Sequence, residues 1–226
     1  MSDTNLARSQ GNLVKLYSSR FTNAEKRRKD QVWRVLCSDF FQRYVRSSDT
    51  VLDLGAGYCE FINHIVCASK IAIDLSEETP HYAEPDVQVL KCQSNAMTMI
   101  ADSSVDVVFC SNFFEHLPNK NVLLETLGEI FRVLRLGGRV LVLQPNIRFL
   151  CGEYWDFFDH HIPLTDRTIV EALNVIGFTI KEVRPRFLPY TTKSNFPQHP
   201  LLVRLYLRLP FIHSFLGKQA WIFGVK

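Results

Sequence analysis

The sequence predicts an α/β fold in which a mostly parallel sheet carries helices on both of its faces. Strand-like runs alternate with helix-like segments along most of the 226 residues, and this alternation is typical of parallel sheets. The runs are short and rich in β-branched residues, and 46% hydrophobic with 22% charged residues indicates a packed core. Ligands of such sheets bind beyond the carboxyl ends of the strands, where functional residues are therefore expected.

The first half of the chain predicts a long helix, a short helix and four strands. Thr22 and Glu25 have capping-box spacing, and apolar periodicity then predicts a helix over residues 23–45. Strands are predicted at residues 51–54, 71–75, 87–90 and 105–110. A glycine turn after the first strand leads into the short helix, whose inner side is expected to hold Phe61, Ile62, Ile65 and Val66.

The second half predicts two more helices and three strands. A helix over residues 121–136 is expected to end at Gly137 and Gly138, since glycine commonly terminates helices. Another helix should open at Thr165 and Asp166 and close at Gly177. The remaining strands are predicted at residues 139–143, 178–183 and 220–225.

Composition excludes some classes of protein. No stretch longer than ten residues lacks Asp, Glu, Lys or Arg, whereas a membrane-spanning helix needs about 20 apolar residues. Residues 1–10 are polar and contain no signal-peptide core. The six cysteines are scattered, without a Cys-x-x-Cys pair. These features predict a cytoplasmic protein, with peripheral contact at the inner membrane face as a further option.

Charge is distributed unevenly along the chain. Residues 181–226 hold eight Lys and Arg against one acid, Glu182, a net charge of +7, while the rest of the chain carries −4. A basic, Leu-rich and aromatic end on a mildly acidic body indicates an anionic partner or surface. A solvated rim of basic residues is the alternative interpretation.

The most informative segment surrounds Gly55 and Gly57. Two glycines at a strand-to-helix turn let the backbone approach a ligand closely, and the helix amides point into the same space. Glu60 occupies the third position of a dinucleotide fingerprint, where a small residue is needed. Asp53 before the glycines suits a cationic ligand, and Asp74, 21 residues later, is placed to accept ribose hydroxyls. Taken singly, Asp53 could serve only a helix dipole and Asp74 only a turn.

Four ordered motifs carry a family resemblance. They are Val-Leu-Asp-Leu-Gly-Ala-Gly (51–57), Ile-Ala-Ile-Asp-Leu-Ser (71–76), Ser-Val-Asp-Val-Val-Phe-Cys-Ser-Asn-Phe-Phe-Glu-His-Leu (104–117) and Glu-Ile-Phe-Arg-Val-Leu-Arg-Leu-Gly-Gly-Arg-Val (129–140). In these the sequence resembles the class I S-adenosylmethionine-dependent methyltransferases, particularly the type-11 group that includes ubiquinone-biosynthesis methylases. The resemblance implies a Rossmann-like sheet of seven strands in the order 3-2-1-4-5-7-6, with the last strand antiparallel.

The resemblance also implies a cofactor site for S-adenosylmethionine. The residues it assigns to that site are Asp53, Gly55, Ala56, Gly57, Asp74, Leu75, Ser94, Asn95, Ser111 and Asn112. Among them the glycine turn with Asp53, and the pair Ser111 and Asn112, would lie by the methionine end, Asp74 by the ribose and Leu75 by the adenine. The family usually has an acid followed by a small residue after strand three. Here Gln93-Ser94-Asn95-Ala96 stands in that place, so Ser94 or Asn95 would contact adenine.

Candidate catalytic residues come from the segment 153–161, where this family usually builds its acceptor pocket. We predict that His160 or His161, oriented by Asp159 or Asp156, accepts a proton from a hydroxyl acceptor. Packing or helix capping by one of these histidines is the alternative. No metal site is predicted, because neighbouring side chains seldom converge on one ion. Glu115 and His116 are expected to form structural hydrogen bonds, with catalysis as the alternative.

Residues 184–218 form an insertion between the last two strands. Leucines surround Arg204 and Arg208, which predicts an amphipathic helix with a broad apolar face. Three roles fit such a helix: covering the acceptor pocket, forming a homodimer contact, or touching lipid or a lipid-linked substrate through residues 197–216.

The sequence therefore predicts one methyltransferase domain over residues 1–226, with an N-terminal helical cap (1–48), a cofactor-binding core (49–183), the insertion (184–218) and a last strand (219–226). The expected reaction is O-methylation of a small or lipid-linked acceptor such as a glycan, quinol or secondary metabolite. Protein or RNA methylation and a non-catalytic partner subunit are the alternatives. DNA is not expected, since neither the Pro-Cys pair of cytosine-5 methylases nor the Pro-Pro of base amino-methylases is present.

Overall fold

A computed structural model of the protein describes residues 23–190 and 199–226. Its centre is a seven-stranded sheet in the order β3-β2-β1-β4-β5-β7-β6. The strands are β1 Thr50–Leu54, β2 Ser69–Ile73, β3 Val87–Leu90, β4 Val105–Ser111, β5 Leu134–Pro145, β6 Thr179–Arg184 and β7 Gln219–Val225. Strands β1 to β5 pair in parallel, and β7 runs antiparallel to both β5 and β6. The predicted strand order and fold class are confirmed.

Helices cover both faces of this sheet. They are α1 Asn23–Asp39, α2 Glu60–His64, α3 Thr79–Tyr82, α4 Lys120–Val133, α5 Ile147–Leu150, α6 Asp166–Ile176, α7 Pro200–Arg208 and α8 Pro210–Leu216, with 3-10 turns at Phe41–Tyr44, Phe114–His116 and Cys151–Asp156. Because side chains alternate along a strand, Leu52 and Leu54 face the core under α4 and α6, whereas Val51 faces the core under α1 and α2.

Aromatic rings dominate the core under α1. Phe41 is fully buried and lies within 6 Å of the ring centroids of Trp33, Phe61, Phe109 and Trp221. Phe61 and Phe109 stack at 3.7 Å, which fixes α2 against the centre of the sheet. The turn that precedes α2 is therefore held from below by large, well-packed side chains.

The predicted helices differ from the observed ones mainly at their ends. The first helix ends at Asp39 and continues only as the 3-10 turn to Tyr44, and its predicted cap at Thr22 lies outside the described residues. In the short helix, Phe61, Ile62 and Ile65 are buried as expected, but Val66 is exposed because the helix has already ended at His64.

Gly137 and Gly138 do not end a helix, contrary to the prediction. Helix α4 ends at Val133, and Leu134 already pairs with Val105 in the sheet. The Lys226 Nζ atom donates to the carbonyls of Phe131 and Leu134 at 2.6 and 2.7 Å, so the last residue of the chain satisfies that helix end. Gly137, at φ +75°, instead turns the chain so that its amide reaches the Lys226 carbonyl.

Helix α6 has the predicted limits. The Thr165 side chain accepts the amide of Thr168, the Thr168 hydroxyl accepts the Thr165 amide, and Gly177 closes the helix at φ +115°. In the insertion, Tyr206 of α7 is buried against the α1 core and its hydroxyl donates to the Phe187 carbonyl. None of the described helices is both long and apolar enough to span a bilayer.

We predict that Phe41→Ala will lower the free energy of unfolding by about 3–5 kcal/mol, because it leaves a cavity beneath the sheet that its neighbours only partly fill. Urea denaturation followed by tryptophan fluorescence measures the change. The matched control is Leu136→Ala, at a residue that is 91% exposed, for which a change within about 0.5 kcal/mol is expected. Equal effects of the two substitutions would contradict the assignment of Phe41 to the core.

Candidate functional site

The carboxyl ends of β1, β2 and β4 meet at one edge of the sheet, where the chain makes a tight turn after β1. The amides of Gly55 and Ala56 donate to the Ile73 carbonyl at 2.9 and 3.2 Å, which ties the turn to the end of β2. Gly55 has φ +74°, and a Cβ there would lie 2.4 Å from the Phe113 ring. Gly57 has φ +51°, but a Cβ there would meet nothing within 4 Å. The turn is therefore packed on one side and open on the other.

Asp74 lies across this open side and binds the turn directly. Its two carboxylate oxygens accept the amides of Gly57 and Ser76, at 2.7 and 2.8 Å. The sequence left two roles open for Asp74, forming a turn or binding a ribose. Its carboxylate does form the turn, and it also lies at the sheet edge where a ligand could reach it. Only two of its lone-pair positions are used by these amides, so capacity remains for hydroxyl donors of a ligand.

Asp53 is buried below the turn, with 3% of its surface exposed. Burial raises the pKa of its carboxyl well above the ordinary value, and the nearby charges of Glu60 and Asp74 raise it further. A hydrogen bond from the Ile62 amide, in the first turn of α2, acts in the opposite direction. Three acids thus surround one glycine turn, and a positively charged ligand would relieve their mutual repulsion.

The other predicted cofactor residues take different positions. Leu75, directly after Asp74, exposes 45% of its surface, as an apolar neighbour for a ligand ring would. The Ser94 hydroxyl shares a buried hydrogen bond with the Thr126 hydroxyl at 2.8 Å, and the Asn95 amide donates to Glu125. Both side chains therefore bind α4 in this structure, and their contact with adenine stays a prediction.

Ser111 and Asn112 end β4 beside the turn. Asn112 takes φ +48°, its amide donates to the Leu143 carbonyl, and its side-chain nitrogen donates to the Ser111 hydroxyl at 3.1 Å. The Asn112 Oδ1 atom is buried without a hydrogen-bond partner among the described residues. A left-handed residue with an unused acceptor is typical of a binding edge.

A cluster of imidazoles and carboxylates lies along the same edge, and we call it the acid–imidazole cluster: Glu115, His116, Asp159 and His160. His116 Nδ1 lies 3.0 Å from the Asp159 carbonyl and 3.2 Å from its carboxylate Oδ2. His116 Nε2 lies 3.9 Å from Glu115 Oε1, and the His116 and His160 rings are 5.0 Å apart. The amide of Gln144, at the end of β5, donates to Glu115 Oε2 at 2.7 Å.

Burial and charge act together on this cluster. Glu115 is 1% exposed, and burial raises the pKa of its carboxyl. Burial by itself lowers the pKa of His116, but Glu115 and Asp159 outweigh it, so that the pKa of His116 is raised. A histidine whose Nδ1 faces a backbone carbonyl and a carboxylate is held in one ring orientation.

The structure brings together some predicted catalytic residues and leaves others apart. Asp159 and His160 lie inside the cluster, and His160 stacks on Phe157 at 5.0 Å between ring centroids. His161 is exposed, and its backbone amide, at 2.8 Å from the Glu115 carbonyl, ties the segment down. Asp156 is also exposed. Glu115 and His116, for which the sequence favoured structural hydrogen bonds over catalysis, do bond to Gln144 and Asp159, and they also lie at the sheet edge just after β4.

Among the described residues, Glu115, His116 and His160 are also the group close enough to hold a metal ion. Each offers one ligand-type atom, and these atoms lie within 4.8 Å of one another. Both chemistries, proton transfer and metal binding, need an imidazole next to a carboxylate, so chelation has to be a control in any test of the cluster.

Comparison with known proteins shows which proteins the chain is similar to. Residues 52–142 match the family described as a methyltransferase domain. The chain is 26% identical to demethylmenaquinone methyltransferase of Symbiobacterium thermophilum, over 82% of this chain and 79% of that protein. It is 23% identical to an uncharacterised methyltransferase-like protein of Schizosaccharomyces pombe, over 79% of this chain and 67% of that protein.

Solved structures show the same fold. A SAM-dependent methyltransferase from Archaeoglobus fulgidus superposes with a TM-score of 0.62 at 22% identity, over 85% of this chain and 94% of that one. A chain from the complex of the Haloferax volcanii Trm112 methyltransferase activator with a methyltransferase gives 0.63 at 18% identity, over 89% and 94%. Together with the domain match, these similarities indicate S-adenosylmethionine as the cofactor, and the acid-lined glycine turn fits its positive charge.

We predict that Gly55→Ala will weaken binding of S-adenosylmethionine at least tenfold. The new Cβ collides with the Phe113 ring, and the alanine backbone has to adopt a positive φ. Gly57→Ala carries the backbone strain without the collision, so a smaller loss is expected. Isothermal titration calorimetry on both variants measures the difference. A Gly55→Ala protein that binds as tightly as the wild type would show that the turn does not contact the ligand.

For Asp74→Asn we expect about 10- to 100-fold weaker cofactor binding, because hydrogen bonds to a charged group contribute about 1.5–3 kcal/mol. The control is Asp86→Asn. Asp86 directly precedes β3, away from the carboxyl edge, and its exposed carboxylate pairs with Lys70 of β2. Titration of both proteins compares them directly. Equal affinities in the two variants would remove Asp74 from the site.

Proposed function

Because the chain carries a methyltransferase domain with the class I fold, we propose that it transfers a methyl group from S-adenosylmethionine to a hydroxyl oxygen of a small or lipid-linked acceptor. The observation that carries the proposal is the acid–imidazole cluster, since it lies on the same sheet edge as the glycine turn. An amine acceptor can react without a base, whereas a hydroxyl has to lose its proton. A partly buried imidazole held by a carboxylate supplies that base.

The chemistry is an in-line displacement. S-adenosylmethionine supplies a methyl group bonded to a positively charged sulfur. The protein's part is to hold donor and acceptor in line and to exclude water. Asp53, below the turn, and Asp74, across its open side, favour the positive charge. The cluster removes the acceptor proton as the oxygen–carbon bond forms and the carbon–sulfur bond breaks.

We assign the proton-accepting role to an imidazole of the cluster and the orienting role to Asp159. His116 supports this best, because the backbone carbonyl and the carboxylate of Asp159 hold its Nδ1, and its Nε2 lies 3.9 Å from Glu115 Oε1. His160, one of the two histidines predicted from sequence, lies beside it, and its ring stacks on Phe157. His161, predicted as the other candidate, is given no part in the proposal because it is exposed.

The acceptor class draws support from one relative. The Symbiobacterium protein is named for demethylmenaquinone, which supports a quinol as the kind of molecule that is bound, while the choice of oxygen as the methylated atom rests on the acid–imidazole cluster alone. Protein or RNA methylation and a non-catalytic role remain the alternatives. They are separated by incubating the enzyme with labelled cofactor and fractionated cell extract, and by asking whether the label enters lipid, small molecules, protein or RNA.

A first test concerns the cofactor class. We expect S-adenosylmethionine and its demethylated product to raise the melting temperature of the protein, because a ligand that binds only the folded state stabilises it. NAD should cause no shift, since Glu60 fills the position that a dinucleotide fingerprint keeps small. A shift with NAD and none with S-adenosylmethionine would overturn the proposed function.

A second test concerns the cluster. His116→Ala should lower turnover about 100-fold or more, which is the usual contribution of a general base, while affinity for S-adenosylmethionine stays unchanged. The matched control is His161→Ala, which should keep its turnover. His160→Ala separates the two imidazoles, since a loss confined to this variant would transfer the base role to His160. If chelation by EDTA abolished wild-type turnover, the cluster would be a metal site and the base assignment wrong.

A third test uses pH. His116 must be neutral to accept a proton, so turnover should rise with pH through its raised pKa. Asp159 and Glu115 raise that pKa, and His160 is the other titratable group in contact. Asp159→Asn should therefore move the rise to lower pH and reduce the plateau rate, because the imidazole becomes a weaker base. An unchanged profile would exclude Asp159 from the orienting role.

A further inference from the structure

The insertion helices α7 and α8 present an apolar surface to solvent. Its six large side chains expose between 38% and 78% of their surfaces; they are Leu201, Leu202, Leu205, Phe211, Phe215 and Leu216. We call these residues the α7–α8 face. The opposite side of α7 is accounted for by buried Tyr206, which packs on the core under α1. Contiguous exposed apolar side chains on a soluble domain mark an interaction surface.

This face belongs to a part of the chain that has no carboxylate. Residues 183–226 contain seven Lys and Arg and neither Asp nor Glu. On α7, Arg204 lies 3.3 Å from Asp39 of α1, whereas Arg208 is exposed. Although Arg184, Arg204 and Lys218 pair with Glu182, Asp39 and Glu153, basic residues outnumber these acids. The face therefore suits a partner that is apolar inside and anionic at its surface.

The segment 153–161, where the sequence predicts the acceptor pocket, adjoins the same face; we call it the acceptor segment. Arg186 donates to the Ser214 carbonyl of α8 and lies over the Phe149 ring of α5 at 4.2 Å. Lys218, just after α8, pairs with Glu153 at 2.5 Å. In this segment Phe158 is 89% exposed, and it lies two residues before His160 of the acid–imidazole cluster. Phe158 therefore adds an exposed apolar side chain beside the proposed reaction site, on a segment whose Glu153 is paired with Lys218 next to α8.

We propose that the α7–α8 face, together with Phe158, docks on an anionic lipid bilayer and presents the cluster to the hydroxyl group of a lipid-linked acceptor. The two helices, of nine and seven residues, are too short to cross a membrane and can lie in its interface. Anionic lipids attract basic residues near the bilayer surface. The docking stands on the surface alone, whereas the acceptor class rests on the proposed function.

A second copy of the chain fits this face less well. In a two-fold symmetric dimer the same patch meets itself, which would bring two regions with a surplus of Lys and Arg against each other. An anionic bilayer instead offers opposite charge at the rim and hydrocarbon for the leucine and phenylalanine side chains. Charge therefore selects the bilayer.

Vesicle co-sedimentation of the full chain tests the docking. Wild-type protein should sediment with vesicles of phosphatidylcholine and phosphatidylglycerol and remain in solution with phosphatidylcholine alone. The variant Phe211→Ser/Phe215→Ser should lose at least tenfold in apparent affinity. The matched control, Leu136→Ser/Val175→Ser, removes two apolar side chains that are 91% and 72% exposed elsewhere, and it should bind like the wild type.

Two further readouts make the outcome decisive. Calorimetric affinity for S-adenosylmethionine should be equal in all three proteins, which shows that they are folded and separates failure of the docking from failure of the proposed function. Light scattering reports the mass in solution. Three outcomes would overturn the proposal. Wild-type protein could fail to sediment with anionic vesicles, or the two double variants could sediment equally. The wild type could also be a dimer that becomes monomeric only in Phe211→Ser/Phe215→Ser.

Discussion

The turn after β1 is the constraint on which the rest of the structure depends. At Gly55 the backbone must adopt a positive φ while the Phe113 ring fills the space where a side chain would stand. Below it, Phe61 and Phe109 stack in the core and hold α2 in place. Because the turn is rigid on its packed side, its open side can offer fixed amides and carboxylates to a ligand. A site that is organised before binding loses less entropy when the ligand arrives.

The parallel arrangement of the central strands brings distant parts of the sequence together. Asp74 after β2, Asn112 after β4 and Gln144 near the end of β5 all reach one edge. The acid–imidazole cluster extends this edge, because the His161 amide donates to the Glu115 carbonyl and so draws the acceptor segment against the end of β4. The glycine turn and the proposed base are thus neighbours for a topological reason.

Much of the fold could be predicted from local patterns, and the misses have a common cause. The limits of β3 and α6 were predicted correctly because β-branched runs, a threonine cap and a closing glycine act within a few residues. The predicted end of α4 was wrong because Lys226, far from this helix in the sequence, donates to the carbonyls of Phe131 and Leu134. A contact between residues 95 apart leaves no local signal.

The sequence by itself determined the sheet, its order through the family resemblance, and the acids and glycines of the turn, because each is encoded in short motifs. Only the tertiary structure decided which imidazoles meet. Adjacent His160 and His161 cannot be told apart by spacing, yet one is buried against His116 and the other is exposed. Burial and the approach of Asp159 to His116 depend on how a loop folds over a strand end. Those contacts arise from packing across 43 residues, and no periodicity along the chain records them.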